Sequence, residues 1–188
     1  GLKKAQQGID GYSEIEVAAI QAAWTMENII STMEKSTVRK KLLSKELQEK
    51  EEAEAGTIKS TRGSEVDGHP ELRKYEVKDK KEMTIWLKKI AKFYGADLIG
   101  IAPFDIKWIY SEDRKGIPYE IPENIKYAIV IAVEMDINAI NTAPKMPSAI
   151  ATGLGYSKMA FVRTLLSSFI RNLGYEAIPA GNDLGLSV

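Results

Sequence analysis

Apolar and polar positions divide the chain into three zones. In the first, residues 1–34, Ile15, Ala18, Ala19, Ala22, Met26, Ile29 and Ile30 recur near helical spacing, which predicts an amphipathic helix from about Ser13 to Met33. Ser13 followed by Glu16 has the form of a capping box at its start. The second zone, residues 35–79, is polar. Lys45 to Glu54 is mostly charged, and Gly56, Gly63, Gly68 and Pro70 punctuate the residues after it. The zone therefore reads as a solvated helix and then a charged linker or surface excursion. The third zone, residues 80–188, carries the compact domain. Met83, Trp86, Leu87, Ile90 and Phe93 lie on one helical face that ends at Gly95,. Ala96–Ala102 and Tyr127–Val133 are continuous apolar runs of strand length and are expected to be buried strands,. Val162, Leu165, Leu166, Phe169, Ile170 and Leu173 predict a third helix stopped by Gly174, and Tyr175–Pro179 a short third strand,. Helix, strand, strand, helix, strand is an α/β (α+β) layer pattern.

Composition narrows the chemistry. Lys plus Arg is 26 and Asp plus Glu is 26, so no net field steers the chain toward nucleic acid or an anionic surface. Cysteine is absent and His69 is the single histidine. Thiolate zinc sites, disulfides and cysteine-ligated iron–sulfur clusters are therefore excluded within these residues. His69, before Pro70 in the polar zone, reads as a loop residue. Asp97, Asp105, Glu134 and Asp136 fall at strand ends, where turns and caps are the ordinary use and no spacing specifies a metal. No apolar run approaches the roughly 20 residues of a membrane span. There is no phosphate-binding loop, and Gly153-Leu-Gly155-Tyr-Ser-Lys158 has lysine where a dinucleotide fingerprint needs its third glycine,.

The segment with most to say is Ala151-Thr-Gly-Leu-Gly-Tyr-Ser-Lys-Met-Ala160. Its glycines suggest a tight turn, which would put Tyr156 at or just before the start of the third helix. A helix N-terminus favours negative charge and would suit a tyrosine that donates a proton. The loop Gly181-Asn182-Asp183 comes after the short strand, and ligands of α/β sheets often lie beyond strand ends. Tyr156 and Asn182 could then meet at one crevice.

This segment and its continuation Phe169-Ile-Arg-Asn-Leu-Gly-Tyr-Glu-Ala-Ile-Pro-Ala-Gly-Asn-Asp183 resemble the corrinoid- and iron–sulfur-dependent reductive dehalogenases. So do Gly95–Phe104, Trp108-Ile-Tyr-Ser111, Ile121-Pro-Glu-Asn124 and Ala128–Asp136. The resemblance covers about Lys80 to Val188. Gly11-Tyr-Ser13 and Ala22-Ala-Trp-Thr25 are a weaker upstream match.

The resemblance implies an incomplete nitroreductase-like, corrinoid-binding domain. It implies a cobamide cofactor, with two [4Fe-4S] clusters in a part beyond Val188, and a small organohalide substrate whose halogen is replaced by hydrogen. Tyr156 falls on the family's proton donor. Asn182, 26 residues on, falls on its pocket asparagine, and Thr152 on the threonine lining the substrate pocket. A basic partner of the tyrosine would lie beyond Val188. An electron donor and a membrane-anchor protein are the implied partners, with no nucleic acid. The implied location is the outer, periplasmic face of the cytoplasmic membrane. Both ends read as cut, the export leader is expected upstream of Gly1, and the fragment alone is expected to be inactive. Two other readings stand beside this one. One is an epoxyqueuosine-reductase-like corrinoid iron–sulfur enzyme acting on tRNA. The other is a cluster-free cobamide-binding module.

Overall fold

A computed structural model describes residues 4, 7, 14–30, 74–112 and 121–181. Ser13, the charged stretch of the middle zone, His69 and Asn182 lie outside them. Helix α1 spans Glu14–Ala23, and after a turn at Trp24 residues 25–30 are again helical. Helix α2 spans Lys80–Phe93, strand β1 Leu98–Pro103, strand β2 Tyr127–Ala132, helix α3 Ile137–Ile140 and helix α4 Met146–Asn172. The architecture is mixed, α+β.

Helix α2 begins where Asp79 accepts hydrogen bonds from the backbone N–H groups of Lys81 and Glu82, as an N-cap should. Gly95 and Gly174 have φ of 109° and 82°, the left-handed turn that glycine adopts without strain and that ends both helices as their position suggests. Strands β1 and β2 pair antiparallel, Gly100 opposite Val130 and Ile101 opposite Ile129. Ala91, Ala96, Val162 and Leu166 form the core, with Leu87, Ile90, Ile99, Ile129, Ile131, Phe169 and Ile170 packed around them. Helices α2 and α4 thus close over one face of the ribbon.

Two expectations need correction. The strands are not buried on both faces. Leu98 and Val130 are exposed on the side away from the core, because helices cover one face and the described ladder has only two strands. A continuous apolar run does not distinguish one covered face from two. Residues 175–180 form no strand either. The side chain of Arg171, buried in α4, donates to the carbonyl of Ala177 at 3.3 Å, so a side chain serves this backbone group.

The end of the polar zone is anchored. The Tyr75 N–H donates to the Leu173 carbonyl at 2.8 Å, and the Tyr175 hydroxyl donates back to the Tyr75 carbonyl at 2.8 Å. This pins residue 75 to the C-terminal end of α4, beside the start of α2.

Candidate functional site around Tyr156

Tyr156 lies ten residues into α4 from Met146, not at a helix start. The charge field of a helix end fades within its first turn and does not reach the phenol. The expected glycine turn is absent, and the physical reason is local. A Cβ on Gly153 would sit 2.5 Å from the Trp24 indole, and one on Gly155 would sit 2.6 Å from the Met135 side chain. Glycine weakens a helix by about 1 kcal/mol relative to alanine. Here it remains helical and leaves the space that two bulky neighbours occupy. The notch holds Trp24 on one side of α4 and Met135 on the other.

Thr152 and Tyr156 are four residues apart on α4 and so share a face. Both are partly buried. The Thr152 hydroxyl donates to the Ser148 carbonyl at 2.8 Å, within its own helix. The Tyr156 ring stacks on Trp24 with centroids 5.0 Å apart and planes 24° apart. Such aromatic pairs contribute roughly 0.5–1.5 kcal/mol beyond their buried area. Next to Tyr156, the buried Ser157 donates its hydroxyl hydrogen to the Ala23 carbonyl and accepts the Glu27 N–H at 3.2 Å. The turn at Trp24 leaves these backbone groups outside the regular helical ladder, and Ser157 satisfies both. The Glu27 carboxylate meets Arg163 at 3.3 Å, with side chains only 5% and 9% exposed. The first zone is thereby fastened along the same helix that carries Tyr156.

The structure brings Thr152 and Tyr156 together and adds Trp24, which sequence reasoning placed only in a weak upstream match. The available signal was a lone tryptophan among alanines on an amphipathic helix. For Asn182 the described chain reaches its neighbour, Gly181, which rests against the Arg163 guanidinium. Three of the acidic residues at the strand ends accept hydrogen bonds from backbone N–H groups. Asp97 accepts the Glu134 N–H at 2.6 Å, Asp105 the Lys107 N–H at 3.0 Å, and Asp136 the Ala139 N–H at 2.9 Å. A cavity of about 430 Å³ bounded by Asp97, Glu134, Asp136, Asn138 and Lys158 lies beside Met135 and does not include Tyr156. Among the described residues no three His, Cys, Asp or Glu side chains group as a metal site, and no helix is long and apolar enough to cross a membrane.

The notch carries a prediction. Gly153→Ala should destabilise the fold by about 1–3 kcal/mol, as overpacking does, and loosen the Trp24 stack. Denaturant unfolding together with the tryptophan emission spectrum checks both effects.

No protein-family model matches the chain. Curated relatives do. The chain is 33% identical over 155 residues to the tetrachloroethene reductive dehalogenase of Dehalobacter restrictus, and 33% identical over 155 residues to one from Desulfitobacterium hafniense. It is 31% identical over 140 residues to that of Sulfurospirillum multivorans. The chain is thus similar to a part of these reductive dehalogenases. The matches cover 62% of the chain for the first two relatives and 58% for the third, and 28% of the length of each relative. The two glycines beside Tyr156 do not cradle a corrinoid ring, since Trp24 and Met135 occupy the space they leave. With no cysteine in the chain, these residues supply no thiolate to an iron–sulfur cluster.

Proposed function

We propose that the chain provides the proton-delivering part of a reductive dehalogenase, which replaces halogen by hydrogen on a small organohalide. The reading is supported by the chain's similarity to tetrachloroethene reductive dehalogenases and by the setting of Tyr156. Its ring is stacked on Trp24 and shares a helix face with Thr152. The overall change adds two electrons and one proton to the carbon–halogen unit. The carbon–halogen bond breaks, halide leaves with its electron pair, and a carbon–hydrogen bond forms.

A cobamide supplies the reducing electrons when bound, fed by two [4Fe-4S] clusters held outside these residues. No described residue is assigned to holding either group. What this chain does is deliver and orient. The Tyr156 hydroxyl donates the proton to carbon. Indole stacking fixes the ring's plane, so the hydroxyl is aimed before substrate arrives and little reorganisation is needed at the moment of transfer. Thr152, one turn earlier, lines the substrate pocket with its methyl group, its hydroxyl being engaged with Ser148. Asn182, outside the described residues, is the further pocket residue of this reading. The nitroreductase-like form of the corrinoid domain, the domain division at residues 34 and 79, the electron-donor and membrane-anchor partners, and the outer face of the cytoplasmic membrane belong to the same reading.

The test is halide release by the reduced, cobamide-loaded holoenzyme with tetrachloroethene as probe substrate. Run in D2O, the reaction should place deuterium on the carbon that lost chlorine.

A further inference from the structure

Helix α2 has two different faces. Leu87, Ile90 and Ala91 turn inward to the core. On the other side Trp86 is 51% and Phe93 85% exposed, and their spacing of two helical turns puts them on one stripe. Neither ring belongs to the core cluster. Lys81, Lys88 and Lys92, all exposed, form a second stripe beside the first by the same helical spacing. Lys89 stands between the stripes, its Nζ 5.4 Å from the centre of the Trp86 ring. Exposed Ile85 adds apolar surface among the lysines. Along α2 Lys80, Lys81, Lys88, Lys89 and Lys92 meet a single acidic residue, Glu82. This local excess of positive charge sits in a chain whose charges balance overall, at 26 and 26.

We propose that the outer face of α2 is a docking surface for anionic phospholipid. The Trp86 and Phe93 rings enter the boundary between headgroups and acyl chains, the level at which aromatic side chains settle in bilayers. The lysines lay their apolar stems along that boundary and carry their ammonium groups out to the phosphates. Lysine is what favours lipid over a protein occupant. Protein–protein interfaces enrich arginine and deplete lysine, because a guanidinium makes fixed, paired hydrogen bonds and an ammonium is a mobile point charge. Helix α2 carries five lysines and no arginine, displayed on the outer curve of one helix. A fluid layer of phosphates adapts to such charges, and a rigid folded surface does not. The contact is peripheral, since no described helix is long and apolar enough to cross a membrane. It lies on a different helix from Tyr156 and does not rest on the proton-delivery reading.

The experiment is vesicle co-sedimentation of the full-length holoenzyme. One set of vesicles is phosphatidylcholine alone, and the other contains phosphatidylglycerol as well. Wild type should bind the second set and not the first, and binding should weaken as salt rises. Lys88→Gln combined with Lys92→Gln should lower the partition coefficient about 25-fold, about fivefold for each lysine. The denaturant midpoint should stay that of wild type, because both side chains are exposed. Should this pair fail to fold, Lys81→Gln combined with Lys89→Gln carries the same expectation. Brominated acyl chains should quench part of the tryptophan emission of the bound protein, and Trp86→Phe, which keeps an apolar ring, should lessen that quenching. Equal binding to both sets of vesicles, lysine variants that bind as wild type does, or quenching untouched by Trp86→Phe would each overturn the proposal. Capture by polyglutamate with no binding to either set would also overturn it and assign the face to an acidic protein partner.

Discussion

Tyr156→Phe in the holoenzyme should lower turnover by about 10²–10⁴-fold, the usual worth of a positioned general acid. Phenylalanine keeps the ring that stacks on Trp24 and removes only the hydroxyl. Stability should therefore change by about 1 kcal/mol or less, the net value of a typical hydrogen bond. A large kinetic loss with a small stability loss separates a proton donor from a packing tyrosine. Single-turnover product formation and denaturant unfolding on the same preparation check it. Turnover close to wild type would remove the proton-donor role from Tyr156 and leave it as part of the interface with Trp24.

The second large effect concerns Glu27. Replacing it with alanine leaves Arg163 charged at a site where its side chain is 9% exposed. Breaking a buried pair from one side typically costs about 3–5 kcal/mol, because the remaining charge keeps its desolvation penalty. The Ser157 hydroxyl keeps its bond to the residue 27 backbone, so the loss measured is that of the carboxylate. Replacing both partners by apolar residues of similar size, Glu27→Leu with Arg163→Met, should cost less than Glu27→Ala alone. Denaturant midpoints for wild type and the two variants check the order. A Glu27→Ala midpoint equal to wild type would mean that water or another group compensates the guanidinium charge.

The sequence was most legible where one physical cause acts alone. Apolar spacing foretold helix α2 and the C-terminal half of α4. Gly95 and Gly174 stop those helices as their backbone freedom suggests, and the two strands fall on the two apolar runs. It was least legible where distant segments meet. Gly153 and Gly155 read as a turn because their intrinsic cost in a helix is visible in the sequence, and the Trp24 and Met135 side chains that fill the vacated space are not. Tyr156 was thereby expected at a helix start and lies deep in α4 instead. The strand after Gly174 was expected from Tyr175-Glu-Ala-Ile, yet the Arg171 guanidinium takes the backbone carbonyl that a neighbouring strand would need. Arg163 and Glu27 went unread because a charged residue on an amphipathic helix is ordinarily solvated. One hint lay in the pattern. Arg163 falls three residues before Leu166 and seven before Ile170, on the apolar face, where an arginine needs a buried partner.

Thr152 and Tyr156 share a helix face in any α-helical reading of residues 152–156. What the sequence could not supply was the surface opposite them, built from Trp24 far upstream. That surface holds the phenol ring stacked at a fixed angle.

The most direct measurement of the central claim is chloride released against tetrachloroethene consumed by the reduced holoenzyme. We expect one chloride for each chlorine replaced, and in D2O one deuterium on the same carbon. No chloride from tetrachloroethene, together with reduction of epoxyqueuosine in tRNA by the same preparation, would contradict it.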